Sequence, residues 1–527
     1  MTQPMLFPVH STVQNMPFGP KGADSLAGQL WDKGGHAQAQ GKKLDADTPY
    51  AELWMGATHE KGPSTVALPG SPLDGKPLAD VLLHDPDRTV SSKLLESHAY
   101  LRQAVHGGMP FIFKVLSAGQ ALPLQAHPDL ELARKLKSQT TIESDEHTTF
   151  DGHHKPEIAL AVTPFRGFVG LAAPPQIRAR LRRVPAVAEL LHDSNLSDKH
   201  LSQVLPKLEH ADLYRLIVDD DTEQSQHPSD PDRQGTWAHK LRAAVVRILC
   251  ADKQLVKKAI EDILSGQQQK IGGDIGDDND ETVDLIRELN GQFPGDVGCL
   301  IAPVFMNLAK LQPGECIFAP ADTIHAWLSG DIIECMPSSV NVVNSAFGPE
   351  PSKETVSLFA QMLSYESKSL DAYMLRPRKV ESATRAGAGG GGGGGQATSV
   401  HRYDVPFDEF NVLRVQIAPP SPSSSSSSSE AKVELFTGES DDNQVLEGVA
   451  VLSCVRGRGK VTGFSTAGGG GGSSSSDEKV ESDIDEGKVF VVASGTRVRI
   501  QPVQDQSEGQ SEKLECYVAY WSAGDKK

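Results

Sequence analysis

Paired cysteines and long apolar runs are scarce in this sequence of 527 residues. The six cysteines form no CxxC pair and show no framework spacing, which argues against a disulfide scaffold and favours a reducing compartment. No apolar run reaches the ~18 residues of a transmembrane helix. Residues 1–30 also lack the basic segment and apolar core of a signal peptide. These features predict a cytoplasmic protein that does not insert into a membrane.

Basic residues are fewer than acidic ones. The sequence has 51 Lys and Arg residues and 69 Asp and Glu residues, for a formal net charge of −18. Nucleic acids and anionic membranes need a basic surface on their partners, so the sequence predicts neither as a partner. A local cationic pocket for a small anion is still compatible with this balance. The length suits roughly three domains of ordinary size.

Residues 313–331 show a turn–strand–turn–strand pattern that has a histidine at the start of its second strand. The Pro313-Gly314 turn precedes an apolar run, and a second turn precedes His325 at the start of the next predicted strand. A small β-barrel can present a metal ligand from a rigid wall in this way. One histidine cannot hold a metal, so partners are needed.

Two upstream segments contain suitable partners for His325. Gln125 and His127 stand at positions i and i+2, so on a strand both side chains project to one face. Glu157 stands at the start of another apolar strand. Alone, each of these residues is more often a hydrogen-bonded loop or core group. Together, two imidazoles, one carboxylate and one amide oxygen favour an open Zn²⁺ site.

Three further residues near these segments are harder to interpret. His153 and His154 lie in a Gly-His-His-Lys turn, so we interpret them as exposed turn residues rather than ligands. Lys114 interrupts a β-branched and aromatic run at residues 110–116. It is either an edge residue whose ammonium reaches solvent or, if the strand lines a cavity, a functional cation.

Helical periodicity is confined to the middle of the chain. Apolar residues recur at helical spacing near residues 237–249 and 283–289, whereas strand-like patterns lie before and after. We therefore predict a helical insertion without catalytic residues. Three Gly- or Ser-rich tracts, at 389–395, 423–429 and near 468–476, fall between later predicted strands and are typical of insertions at hairpin tips. The last third of the chain has no histidine equivalent to His325, which predicts a second barrel without a metal.

Five segments, in order along the chain, resemble type I mannose-6-phosphate isomerases. They are Pro49-Tyr-Ala-Glu-Leu-Trp-Met-Gly, Phe113-Lys-Val-Leu-Ser, Gln125-Ala-His-Pro-Asp, His154-Lys-Pro-Glu-Ile-Ala and His325-Ala-Trp-Leu-Ser-Gly-Asp-Ile-Ile-Glu-Cys-Met. The resemblance extends to about residue 360 and is weaker beyond. It implies a mostly β fold with two cupin-like jelly-roll barrels and an α-helical domain inserted in the first. The implied divisions are 1–173 and 297–365 for the catalytic barrel, 174–296 for the helical insertion and 366–527 for the C-terminal barrel.

The resemblance also implies an activity, namely the reversible conversion of D-mannose 6-phosphate to D-fructose 6-phosphate through an enediol, which feeds GDP-mannose supply. It implies a monomer with one zinc ion per chain and a sugar phosphate as its small-molecule partner. The implied site residues are the zinc ligands Gln125, His127, Glu157 and His325, the catalytic carboxylate Glu334, and the substrate-binding cations Lys114 and Lys155.

Departures from the family pattern cluster on the substrate side. Asn344 stands where the family has an arginine treated as catalytic, Glu350 replaces a nearby lysine, and Pro123 replaces a serine near the metal. The N-terminal Tyr-Asp-Trp-Gly-Lys signature has become Met16-Pro-Phe-Gly-Pro. Loss of one charged hydrogen bond costs about 1.5–3 kcal/mol, or roughly 10- to 150-fold in rate or affinity.

Three hypotheses follow from this mixture of matches and departures. The chain is a working isomerase with compensating substitutions, a zinc-retaining paralogue with weak or altered sugar specificity, or a non-catalytic regulatory or binding protein. Another arginine that reaches the pocket, with Arg166 as the candidate, would favour the first hypothesis.

Overall fold

A computed structural model provides the structure of the chain. It describes residues 5–57, 62–103, 106–139, 150–192, 212–219, 236–266, 281–383, 398–418, 431–438, 443–465, 479–503 and 513–521. Within these ranges, no helix combines the length and apolar character needed to cross a membrane. The three Gly- or Ser-rich tracts lie outside the described residues.

Strands make up most of the regular structure. In chain order they are β1 (Leu6–His10), β2 (Thr12–Gln14), β3 (Glu52–Trp54), β4 (Thr65–Val66), β5 (Phe111–Ala118), β6 (Leu124–Ala126), β7 (Glu157–Ala161), β8 (Phe165–Leu171), β9 (Met306–Leu311), β10 (Cys316–Ala319), β11 (His325–Pro337), β12 (Val343–Ala346), β13 (Arg378–Lys379), β14 (Ser399–Tyr403), β15 (Asn411–Ile417), β16 (Val433–Leu435), β17 (Ala450–Arg456), β18 (Arg458–Ser465), β19 (Lys479–Asp485), β20 (Val489–Val492), β21 (Thr496–Pro502) and β22 (Leu514–Tyr520).

The α-helices are concentrated in the middle of the chain. In order they are α1 (Leu26–Lys33), α2 (His36–Ala39), α3 (Leu78–His84), α4 (Ser92–Ser97), α5 (Leu130–Ser138), α6 (Pro174–Arg183), α7 (Leu213–Val218), α8 (Trp237–Leu249), α9 (Lys253–Ser265), α10 (Thr282–Gln292), α11 (Gly298–Phe305) and α12 (Lys353–Met362). Side-chain caps fix several helix starts: the Thr236 hydroxyl accepts from the third-residue N–H of α8, and Asp252 does the same for α9.

A ten-stranded sheet contains the strands that the sequence assigned to the first barrel. Its main path is β10-β7-β11-β5-β3-β2. Strands β6 and β8 pair with the N-terminal half of the long strand β11, and β12 and β9 join through β6 and β8. Strand β5 is buried at all eight positions because it lies between β11 and β3. This explains the uninterrupted apolar run that surrounds Lys114.

An eight-stranded sheet and a four-stranded sheet form the C-terminal body. The larger sheet has the order β13-β14-β15-β22-β17-β20-β1-β4, and the smaller has the order β16-β21-β18-β19. Strand β21 alternates strictly between buried and half-buried residues, as expected for a strand with one covered face. Strands β1 and β4, from the start of the chain, close one edge of the larger sheet, an arrangement that local sequence patterns did not predict.

The helical segment packs as an insertion between β8 and β9. Its buried faces share one apolar cluster with β6 and with the buried face of α12. Residues Leu241, Val245 and Ile248 of α8 are fully buried, which agrees with the helical spacing of the sequence. The fold is therefore mostly β with a helical insertion, as predicted.

Candidate active site

Four polar side chains converge at one end of strand β11. Gln125 lies on β6, His127 follows that strand by one residue, Glu157 begins β7, and His325 begins β11. His325 is directly opposite Gln125 in the β11–β6 pair. The structure therefore brings together all four residues that the sequence proposed as zinc ligands, although they come from segments on both sides of the helical insertion.

The donor atoms of three of these residues lie within 4.8 Å of one another, a spacing suited to a metal ion. The Nε2 atom of His127 lies 3.2 Å from Glu157 Oε1, and the Nε2 atom of His325 lies 3.3 Å from Glu157 Oε2. All three side chains are 3% exposed or less. The cluster is thus removed from bulk water.

Hydrogen bonds on the far side of each imidazole fix the tautomer. His127 Nδ1 lies 2.7 Å from the Asn341 carbonyl oxygen, and His325 Nδ1 lies 2.9 Å from the Thr323 carbonyl oxygen. A carbonyl oxygen can only accept, so each Nδ1 carries a proton. In a neutral ring, each Nε2 then directs a lone pair at the carboxylate of Glu157.

This arrangement fits a bound cation better than it fits ion pairs. Burial lowers the pKa of His127 to about 4, so its ring is neutral at neutral pH. Within the described residues, His127 Nε2 and Glu157 Oε2 have no hydrogen-bond partner. A cation between the lone pairs and the carboxylate would satisfy these buried atoms.

The Gln125 amide completes the set. Its Nε2 atom lies 3.2 Å from His325 Nε2. Rotation of an amide by 180° exchanges nitrogen and oxygen with little change in shape, so the oxygen can face the same point. The residues present therefore fit a metal with two imidazole, one carboxylate and one amide ligand.

A second buried cluster surrounds Lys114 on the same sheet. Its ammonium lies 2.8 Å from Glu52 Oε1 and 2.7 Å from Glu334 Oε2. Trp327 Nε1 donates to the other oxygen of Glu334 at 2.5 Å, and Trp54 Nε1 donates to Glu52 at 2.8 Å. Both carboxylate side chains are 6% exposed or less. The alternative that Lys114 is a solvent-seeking edge residue is therefore wrong.

The pKa of Glu334 reflects its burial and the sharing of one ammonium with a second carboxylate. Burial raises the pKa of Glu334, Lys114 opposes the shift, and the negative charges of Glu157 and Glu52 add to it. Glu334 is paired with Lys114 across β11 and β5, and with Ala159 across β11 and β7. A buried carboxylate with a raised pKa is suited to gain and release a proton.

Glu52 is a site residue that sequence reasoning missed. It lies two positions before Trp54 on β3, so both side chains share a face of the strand. The available signal was Lys114 itself, because a lysine inside an apolar central strand needs buried carboxylate partners. Glu52 was the acidic residue of the aromatic segment at 49–56.

Lys155 lies beside the predicted zinc ligands rather than in the second cluster. Its ammonium is 3.4 Å from Glu157 Oε1, and its side chain is 14% exposed. This position places a cation against the candidate centre while part of the side chain still contacts solvent. Of the two lysines predicted to bind an anionic substrate, Lys155 is the more accessible.

Asn344 occupies a position next to the predicted zinc ligands. It is exposed on β12 and lies directly opposite Gln125 in the β12–β6 pair. Opposed residues of an antiparallel pair project to the same face, so Asn344 stands on the side of the sheet that carries the ligands. A neutral amide is therefore present where the family pattern has a guanidinium.

Glu350 and Arg166 both contact the helical insertion instead of the predicted zinc ligands. Glu350 is exposed and forms an ion pair of 2.6 Å with Lys253 of α9. Arg166 donates two hydrogen bonds, of 3.0 and 2.8 Å, to Glu288 of α10. The sequence left open whether Arg166 reaches the pocket, and its bonds to Glu288 give no support to Arg166 as a replacement for the missing arginine.

The interpretation of His153 and His154 as exposed turn residues is wrong. The His153 ring stacks on Tyr100 at a centroid distance of 4.0 Å, and His154 Nε2 lies 2.7 Å from Glu409 Oε1. Both residues are half-buried because the turn packs against neighbouring loops. Neither belongs to the ligand cluster found among the described residues.

Comparison with known proteins gives matches along most of the chain. Residues 6–173 match the family described as phosphomannose isomerase type I, catalytic domain, and residues 216–306 match the helical insertion domain of that family. The mannose-6-phosphate isomerase of Cryptococcus neoformans var. neoformans serotype D is 32% identical over 79% of this chain and 85% of its own length. The Homo sapiens mannose-6-phosphate isomerase is 30% identical over 79% of this chain and 83% of its own length.

Solved structures show the same fold. The apo mannose 6-phosphate isomerase from Salmonella typhimurium has a TM-score of 0.64 at 18% identity, with 98% of this chain and 100% of that chain covered. A zinc-bound mannose 6-phosphate isomerase gives the same values. The sequence relatives place the chain in the class of isomerases. More specifically, it belongs to the type I mannose-6-phosphate isomerase family.

Proposed function

We propose that this chain is a zinc-dependent aldose–ketose isomerase that interconverts D-mannose 6-phosphate and D-fructose 6-phosphate. The observation that carries the proposal is that two imidazole Nε2 atoms lie within 3.3 Å of one buried carboxylate, while His127 Nε2 and Glu157 Oε2 have no hydrogen-bond partner among the described residues. Gln125, His127, Glu157 and His325 would hold the zinc. When bound, zinc would supply Lewis-acid stabilisation of negative charge on the sugar oxygens.

Glu334 is the proposed catalytic residue. The isomerisation moves a proton between C1 and C2 of the sugar through an enediol, so one group must take the proton and return it. Glu334 is suited to this because burial raises its pKa towards neutrality. Trp327 and Lys114 each contact one of its oxygens and so hold the carboxylate in one orientation.

Lys155 is the proposed substrate-binding cation near the centre. Its partial exposure leaves the ammonium accessible to an anionic sugar. Lys114, which was predicted for the same role, is bonded to two carboxylates, and we assign it to orienting Glu334. The Lys114 ammonium has three N–H groups and these two contacts use two of them, so a sugar hydroxyl would have to accept from the third.

A coupled assay that detects fructose 6-phosphate tests this function with the purified, zinc-loaded protein. Turnover of mannose 6-phosphate is expected, with activity lost in Glu334→Gln while zinc remains bound. Absence of turnover at saturating substrate would refute the proposal.

Weak or altered sugar specificity is a second candidate, favoured by the exposed, neutral Asn344 opposite Gln125. An amide can donate a hydrogen bond but brings no charge to a phosphate or an oxyanion. Under this hypothesis, Asn344→Arg should raise kcat/KM for mannose 6-phosphate by about tenfold or more. Glu350→Lys should add little, because Glu350 is exposed and paired with Lys253. No gain in Asn344→Arg would count against this candidate.

Several broader features belong to the same proposal. The two β bodies would be cupin-like jelly rolls, with the catalytic one formed by residues 1–173 and 297–365, the helical insertion by 174–296 and the C-terminal one by 366–527. Strands β1 and β4 are the exception, because they join the larger C-terminal sheet. The enzyme would bind one zinc, act as a cytoplasmic monomer and feed GDP-mannose supply. The six free cysteines, five of them buried, support a reducing compartment. Light scattering after size-exclusion chromatography would test whether the protein is a monomer.

A further inference from the structure

Asn341 is a fully buried residue in the loop between β11 and β12. Its main-chain carbonyl accepts the hydrogen bond from His127 Nδ1 at 2.7 Å. That bond fixes which nitrogen of His127 faces the centre, because the proton on Nδ1 leaves the lone pair on Nε2. The position of the Asn341 backbone therefore controls the orientation of one proposed ligand.

The Asn341 side chain holds the segment that leads to a second ligand. Its Oδ1 accepts from the Asp151 N–H at 2.8 Å, and its Nδ2 donates to the His153 carbonyl at 2.5 Å. Residues 151–156 have no helix or strand of their own before β7 begins at Glu157. Contacts such as these must set the path of that segment, and with it the places of Lys155 and Glu157.

Neighbouring residues strengthen the same attachment. The Ser339 hydroxyl donates to Asp151 Oδ1 at 3.1 Å, and the Val340 N–H donates to Asp151 Oδ2 at 2.9 Å. Three residues after Asn341, Asn344 pairs with Gln125. Residues 339–344 thus contact Gln125, His127 and the segment that leads to Glu157.

We propose that Asn341 is a positioning residue for the metal centre, which holds His127 in its Nδ1–H tautomer and fixes the approach of Glu157. Its side-chain bonds are to main-chain groups, so it acts through the ligands and does not touch the substrate. The inference rests on the proposed function only in that the centre binds zinc.

The test compares zinc affinity in Asn341→Asp and in a matched control. Aspartate keeps the shape but sets an oxygen against the His153 carbonyl, so the 151–156 segment should move. The dissociation constant for zinc, from competition with a chelator, should rise about 10- to 100-fold, the usual effect of losing an outer-shell partner. The rise in Tm on zinc addition should shrink accordingly.

Asn443 provides the control because it makes the same kinds of bonds far along the chain. It is 5% exposed, accepts from the Phe436 N–H at 2.6 Å and donates to the Glu434 carbonyl at 3.0 Å. Asn443→Asp should lower the Tm of the metal-free protein without changing zinc affinity. A merely structural role for Asn341 would give the same pattern as this control.

Each outcome bears on the inference. Zinc affinity in Asn341→Asp within about threefold of the parent would overturn it, as would a parent that binds no zinc. If Asn341→Asp does not fold, Ser339→Ala is the second variant. It removes the hydroxyl that donates to Asp151 and His153 and accepts from the Asn341 N–H, and unchanged zinc affinity there would overturn the inference instead. A parent that binds zinc but shows no turnover would refute the proposed function, while weaker zinc binding by Asn341→Asp would still support the role of Asn341.

Discussion

Replacement of Lys114 by methionine should destabilise the fold strongly and abolish turnover. Lys114 is 7% exposed, and its ammonium bonds both Glu52 and Glu334. Its removal therefore leaves two buried carboxylates without a cation. Breaking a buried ion pair by removal of one partner costs about 3–5 kcal/mol. Methionine has nearly the same length, so little of this loss would come from a cavity.

The pH dependence of the lost stability shows whether unpaired buried carboxylates cause it. Without Lys114, nothing opposes the burial and neighbouring negative charges that raise the folded-state pKa of Glu334 above its unfolded value of about 4.3. The folded state then binds more protons than the unfolded state, so stability falls as pH rises through the folded pKa of Glu334 and recovers as pH falls. Urea unfolding between pH 7.5 and 5.5 should therefore show the deficit of Lys114→Met shrinking towards acid pH, by roughly 1 kcal/mol or more.

Lys253→Met is the matched control for this experiment. It removes a lysine from an exposed pair with Glu350, in which both side chains are more than two-thirds exposed. Exposed pairs contribute little, so its free energy of unfolding should equal that of the parent at every pH. The reasoning would be refuted if Lys114→Met were destabilised by less than about 1 kcal/mol, or if its deficit did not change with pH.

Other predictions concern the metal and the proton-transfer group. His325→Ala should abolish stoichiometric zinc binding, because it removes one of two imidazoles from the centre; zinc retained after dialysis would argue against this ligand set. Trp327→Phe removes the donor to Glu334, so kcat should fall about tenfold or more. The acid limb of the pH–rate profile of Trp327→Phe should also move to higher pH, since a carboxylate that loses a hydrogen bond has a raised pKa. An acid limb at the same pH as in the parent would argue against Glu334 as the proton-transfer group. Arg166→Ala should leave kcat/KM unchanged because Arg166 is bonded to Glu288, and a large loss would place it in the site after all.

The sequence allowed prediction where a residue and its strand were both recognisable. Gln125 and His127 stand two residues apart on an apolar segment, and Glu157 and His325 each begin a strand, so local pattern was enough to propose that they face one another. The helices at residues 237–249 and 282–292 could be predicted for the same reason, since their apolar spacing is regular.

Features that depend on distant pairing could not be predicted in this way. Strand β1 pairs with β20, more than 470 residues away in sequence, and nothing in its own residues indicates that partner. Whether Lys114 was an edge or a central residue depended on both strands beside β5. His153 and His154 were misplaced because their burial comes from Tyr100 and Glu409, on loops that local pattern does not connect.

Metal removal and return test the central claim most directly. The purified protein would be stripped with a chelator, titrated with zinc and assayed for fructose 6-phosphate at each step. The account predicts that the metal-free protein is inactive and that activity rises in proportion to zinc up to one equivalent per chain. Full activity without metal, or tight zinc binding that restores no turnover, would contradict it.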